Sequence, residues 1–159
     1  MMLFLIGGHW ADLQAQINVR AATIEVEADT IIVPIFIDNM NAAASLSLTL
    51  SFDNSALNYL SLENTATFGT SIIANVSNGQ LFIAWFSLSP VTVVTDTLVR
   101  LKFVRGTGCF SDLNWDLSSP GANQITDING TTLPTVYTDG LVSFLIEDSP
   151  VLESPTNLA

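Results

Sequence analysis

Most hydrolytic, nucleophilic and metal chemistry in proteins runs through histidine, cysteine or paired carboxylates, so these residues are the first to place. The single histidine, His9, lies in an apolar N-terminal segment. A chain processed after that segment has no imidazole, which closes Ser-His-Asp triads and histidine-bearing zinc sites to it. The single cysteine, Cys109, sits between Gly108 and Phe110 with neither a second thiol nor a base beside it. It reads as a packed or incidental residue rather than a nucleophile. Asp112 and Asp116 have the spacing of one strand face and would stand about 13 Å apart, too far for either glycosidase geometry. Residues 127–130 (Asp-Ile-Asn-Gly) match the start of a calcium loop but lack the further acidic ligands and the bidentate glutamate. A hairpin turn is the better reading. The expectation is a chain that is not an enzyme and holds no metal or cofactor.

Aromatic rings are the remaining chemical resource, because a row of exposed rings stacks on sugars. Trp85, Trp115, Tyr59, Tyr137 and Phe86 are available. Period-two spacing places Trp85 with Leu81 and Ile83, and Trp115 with Leu113 and Leu117, which is the company of core residues. Phe82 and Phe86 point the other way from Trp85 and are candidates for a contact surface.

The elements that must position these residues are strands. The run at residues 45–52 (SLSLTLSF) alternates perfectly, putting Leu46, Leu48, Leu50 and Phe52 inward and Ser45, Ser47, Thr49 and Ser51 outward. Further strands are read at 23–27, 30–39, 57–63, 71–77, 80–87, 97–105, 111–117 and 137–147. The apolar run 31–37 belongs in a central strand or beneath an insertion. Asn-Gly pairs at 78–79 and 129–130 signal hairpins, and Asp53-Asn54 and Ser119-Pro120-Gly121 mark further turns. No segment sustains a helical period. About nine short strands predict an all-β fold, an antiparallel two-sheet sandwich with jelly-roll-like topology, with a closed barrel as the alternative.

Composition narrows the partners. The 159 residues are 48% hydrophobic and 12% charged, far too apolar for a disordered chain. The net charge of -11 sets 15 acidic residues against only Arg20, Arg100, Lys102 and Arg105. So few cations cannot neutralise a phosphate backbone, and nucleic acid is not an expected partner. With one cysteine no internal disulfide forms, and the fold must be held by packing. Residues 1–15 open on the apolar run MMLFLIGG and read as a signal peptide, possibly truncated because no Lys or Arg precedes the run; cleavage falls before Gln16. The domain then spans 16–147, and residues 148–159, with two prolines and no strand period, read as a linker to a further module. The expected setting is secreted or cell-surface, without membrane insertion of the mature chain.

The stretches 33–63, 78–90 (NGQLFIAWFSLSP), 96–108 (DTLVRLKFVRGTG) and 125–144 (ITDINGTTLPTVYTDGLVSF) occur in an order that resembles the cohesin family. The pattern is a strand, then Phe52-Asp53 with Leu57, then the D-x-N-G hairpin and a closing T-D-G strand. Cohesins are β-sandwich modules of cellulosome-type scaffolds and related cell-surface proteins. The resemblance implies a nine-stranded sandwich and a protein partner of dockerin type, docked on one sheet face. Contacts in that family commonly use polar and acidic side chains on the strands that here carry Ser45, Ser47, Thr49 and Ser87, with Phe82 and Phe86 beside them. Small hydroxyl residues stand here where Asn, Asp or Glu is often found. The alternative is a carbohydrate-binding module with a polysaccharide ligand, which needs two or three exposed rings along one face.

Overall fold

The computed structural model describes residues 15–145. The linker and almost all of the expected leader lie outside them. Ten strands follow in chain order: β1 Ile17–Ala21, β2 Thr23–Val26, β3 Thr30–Ser51, β4 Leu57–Asn64, β5 Ile73–Ser77, β6 Gln80–Arg105, β7 Phe110–Trp115, β8 Gln124–Asp127, β9 Thr135–Thr138 and β10 Gly140–Phe144. A 3-10 turn at Gly69–Ser71 is the one helical element among the described residues.

β3 and β6 are long because each serves both layers of the sandwich. They pair antiparallel from Thr30↔Val104 to Ser51↔Gln80, with register shifts at Ile35/Phe36 and between Met40 and Ser45. In the first half of β3 the buried branched side chains are Ile31, Val33, Ile35 and Ile37; in the second half the buried leucines are Leu46, Leu48 and Leu50. The odd-to-even change is made in residues 39–44, where Asn39 and Ala42 adopt positive φ. A bulge that inserts a residue turns the strand over and bends it. The sequence reads two strands here, at 30–39 and 45–52; the structure runs them into one bent strand, and does the same with 80–87 and 97–105.

One layer is ordered β9–β1–β3–β6–β4 through the first half of β3, and the other β5–β6–β3–β8 through its second half. Beyond β8, β7 joins β3 at Leu50↔Trp115 and carries β10 and β2. The expected single strand 137–147 is broken at Asp139, where the chain leaves one layer for the other. β1 and β2 make the same crossing at Ala22. Consequently β1 pairs with β9, and β2 with β10, in parallel, a departure from the purely antiparallel expectation. Gly140 is needed at the crossing, since a Cβ there would stand 2.4 Å from the Ala22 carbonyl oxygen.

The core between the layers is apolar except for Ser111, whose hydroxyl accepts the Asp53 N–H at 2.9 Å. Phe103 meets Phe52 and Tyr59 edge-on at 5.3 and 5.7 Å, and Phe68 caps Trp85 at 5.4 Å. Trp115 donates its indole N–H to the Thr138 carbonyl at 2.9 Å, tying β7 to the crossing. The Asn78-Gly79 hairpin has both residues at positive φ, as a two-residue primed turn requires. Leu48 is 1% exposed opposite Ile83. Leu48→Ala is expected to cost about 2–5 kcal/mol in urea unfolding, and a loss under about 0.5 kcal/mol, the range of surface substitutions, contradicts this register.

Candidate functional site

The outward side of the β5–β6–β3–β8 layer collects most of the residues the sequence marks. Its cross-strand rows follow from register: Thr126, Ser45 and Phe86; Gln124, Ser47, Ala84 and Ile73; Thr49, Phe82 and Asn75. The side toward β8 is polar. The Ser45 and Thr126 hydroxyls share a hydrogen bond at 2.7 Å, Ser47 is exposed, and Gln124 donates to Thr132. The side toward β5 is apolar, with Phe86 69%, Ile73 67% and Phe82 42% exposed. Ser71, Ile73, Ala84, Trp85 and Phe86 line an apolar cleft of about 280 Å³ there.

Two of the expected contact residues are not on this surface. Thr49 is 4% exposed, because the β7–β8 connection lies over it. β7 and β8 leave a gap along the edge of β3 at Thr49, and Asn123 fills it as a substitute strand. Its Oδ1 accepts the Thr49 N–H at 2.9 Å, its Nδ2 donates to the Asp116 carbonyl at 2.7 Å, and the Thr49 hydroxyl donates to the Ala122 carbonyl at 3.1 Å. Ser87 has the opposite strand parity to Phe82 and Phe86. Its hydroxyl is turned to its own chain, donating to the Ser89 carbonyl at 2.7 Å and accepting the Ser89 N–H. Ser45, Ser47, Phe82 and Phe86 remain together. Ile73, Gln124 and Thr126 complete the face and were missed by the sequence reading, although the Asn78-Gly79 turn fixes Ser77 opposite Gln80 and hence Ile73 opposite Ala84.

The other candidates resolve into structural roles. Trp85 and Trp115 are 4% and 5% exposed, core residues as their spacing indicates. Asp53, Asp116 and Asp127 each accept the backbone N–H two residues ahead, at 2.7, 3.0 and 2.9 Å, and so form turns. Asp116 also accepts the Ser118 hydroxyl and the Ser119 N–H; these bonds, those of Ser119 first, lower its pKa to about 2. Asp112 is an exposed residue of β7 and Cys109 an exposed free thiol. Among the described residues no group of three or more His, Cys, Asp or Glu is placed to hold a metal ion. No described helix is long and apolar enough to cross a membrane. The cations are dispersed: Arg20 pairs with Asp38 at 3.1 Å over the Phe36 ring, and Arg105 lies over Phe144.

Two outcomes are expected at the Thr49 gap. Asn123→Ala strands a buried N–H and should cost about 1–3 kcal/mol by chemical denaturation. Because the Asp116 pKa is lower folded than unfolded, its stabilising contribution is complete above about pH 4 and is lost as pH falls toward 2. An NMR titration of the Asp116 carboxyl should place its midpoint near 2.

No family model matches the sequence, and no curated protein matches it. Solved structures do match. A non-cellulosomal cohesin from Archaeoglobus fulgidus superposes with a TM-score of 0.71 at 20% identity, covering 84% of this chain and 94% of that one. The seventh ScaB type I cohesin of Pseudobacteroides cellulosolvens gives 0.69 at 15%, over 87% and 97%. A type I cohesin from a Clostridium thermocellum cohesin–dockerin complex gives 0.71 at 10%, over 82% and 100%. The bent β3–β6 pair, the two layers it organises and the parallel terminal strands are thus the architecture of a known sandwich, and this chain has the cohesin fold.

Proposed function

We propose that this chain is a non-catalytic docking module that holds a protein partner of dockerin type on the outward face of the β5–β6–β3–β8 layer. The observation that carries the reading is the composition of that face. In a chain of net charge -11, residues 39–52 and 64–95, which supply β3 and β6 to the face and all of β5, contain no Asp, Glu, Lys, Arg or His. A solvent-exposed sheet face kept free of charge, with Phe82, Phe86 and Ile73 beside a row of hydroxyl and amide groups, has the apolar core and polar flank of a protein contact surface. The fold supports the partner class, since neighbours from Clostridium thermocellum and Acetivibrio cellulolyticus were solved in complex with dockerins. The proposed setting is the secreted or cell-surface one, residues 1–15 acting as leader and 148–159 as a linker.

The polysaccharide alternative is left with Phe82 and Phe86 as the exposed rings of this face. Trp85 and Trp115, the rings best able to stack on sugars, are in the core.

Surface plasmon resonance with calcium-loaded dockerin modules from the same genome tests the proposal. Binding at about micromolar Kd or tighter is expected for one of them, weakened by about 30-fold or more in Phe86→Asp, as befits a central apolar contact. Ile32→Asp, in the other layer, should leave it unchanged. Absence of binding by every such dockerin, or equal effects of the two substitutions, overturns the assignment.

A further inference from the structure

A sheet edge carries unpaired peptide groups, and folded proteins blunt such edges with charge, proline, a bulge or a cover. The free edges among the described residues follow that rule, with one exception. β4 carries Glu63 and a register shift at Tyr59/Ser61. β8 is covered by residues 131–133, through Asp127 N–H to the Thr131 carbonyl and Leu133 N–H to the Ile125 carbonyl. β9 is four residues long between Pro134 and Asp139, and β2 carries Glu25 with Glu27 next to it. β5, Ile-Ala-Asn-Val-Ser, pairs with β6 alone in unbroken register and has no charge, no proline and no bulge.

The hairpin fixes which groups of β5 are free. A two-residue turn makes Ser77 and Gln80 exchange both hydrogen bonds, and the ladder's alternation gives Asn75 and Ile73 the same role. Ala74 and Val76 therefore direct their N–H and C=O groups away from β6. The Val76 N–H is met only by its neighbour's side chain, the Asn75 Oδ1 at 2.9 Å.

We propose that β5 pairs antiparallel with β5 of a second copy of this chain, joining the two β5–β6–β3–β8 layers into one continuous sheet. A twofold axis through Asn75 sets Ala74 opposite Val76 of the partner copy and Val76 opposite its Ala74. Both are hydrogen-bonded pairs, so all four free N–H groups are used; a twofold antiparallel contact needs no feature that one copy lacks. Asn75 then faces Asn75 of the other copy, and each amide exchanges its own-chain bond for a cross-strand one. The self-complementary register points to a copy as occupant, and like charge does not bar it from this edge. Two chains of net charge -11 repel over most of their surfaces, and residues 64–95 form the longest charge-free segment through which they can approach.

Sedimentation equilibrium of the full chain, over about 5–500 μM, reads the association directly. A dimer is expected, not weakened between low and high salt because no charge is buried. Val76→Pro, which removes an outward N–H and leaves the β6 ladder intact, should give a monomer with an unchanged melting profile. Asn75→Lys and Asn75→Glu each set like charges opposite at the axis and should be monomeric alone, whereas their equimolar mixture should return to dimer. A wild-type monomer throughout the range overturns the proposal, as does a dimer that survives these substitutions or a mixture that stays monomeric. Phe86→Asp should keep the dimer while losing dockerin binding, so the two proposals fail separately.

Discussion

The antiparallel ladder between β3 and β6 is the constraint from which the rest of this molecule follows. Both strands run through both layers, 22 and 26 residues long, and they must bend together or the ladder tears. The irregular residues 39–44 of β3 face the irregular residues 87–91 of β6, so the bend is shared. There the buried parity of β3 changes from Ile37 to Leu46, letting one chain present leucine and isoleucine inward in two differently tilted sheets. Every other strand except β2, β9 and β10 is attached directly to this pair. The neutral face is one product: its rows are the outward positions of β3 and β6 after the bend.

The acidic composition takes on a structural meaning in this frame. Asp53, Asp116 and Asp127 close turns with their carboxylates, and Asp38 is engaged by Thr95 and Arg20. These carboxylates close turns or pair locally, and β5 with the parts of β3 and β6 beside it is left free of charge. An acidic protein can thus present a surface for which electrostatic steering contributes little, and where burial of Phe86 and Ile73 supplies the free energy of contact.

How legible the fold was depends on the range of the interaction. The alternation of residues 45–52 and the Asn78-Gly79 turn are local, and they place Leu48 in the core and Phe86 on the surface correctly. The bend that fuses two predicted strands into β3 has only weak local marks, Asn39 and a run of alanines. The burial of Thr49 has none, because it is imposed by Asn123, 74 residues away. Ser87 was placed on the face by the family resemblance, whereas its strand parity, that of Leu81, Ile83 and Trp85, already sets it opposite to Phe82 and Phe86. The sheet crossing at Asp139 was hidden inside one apolar-looking run; Gly140 is its only local sign, and the contact that requires glycine lies on β1's side of the molecule.

The parallel pairing of β1 with β9 and β2 with β10 has a mechanical consequence. Residues 17–26 and 135–144 lie side by side in the same direction, changing layers together. Residue 17 is therefore at one end of this double strand and residue 144 at the other. Tension entering at the first and leaving at the second pulls the two strands lengthwise past each other, loading their ladder bonds together instead of peeling them one by one. Resistance to a pull between residues 17 and 144 therefore scales with the number of bonds in these two parallel ladders.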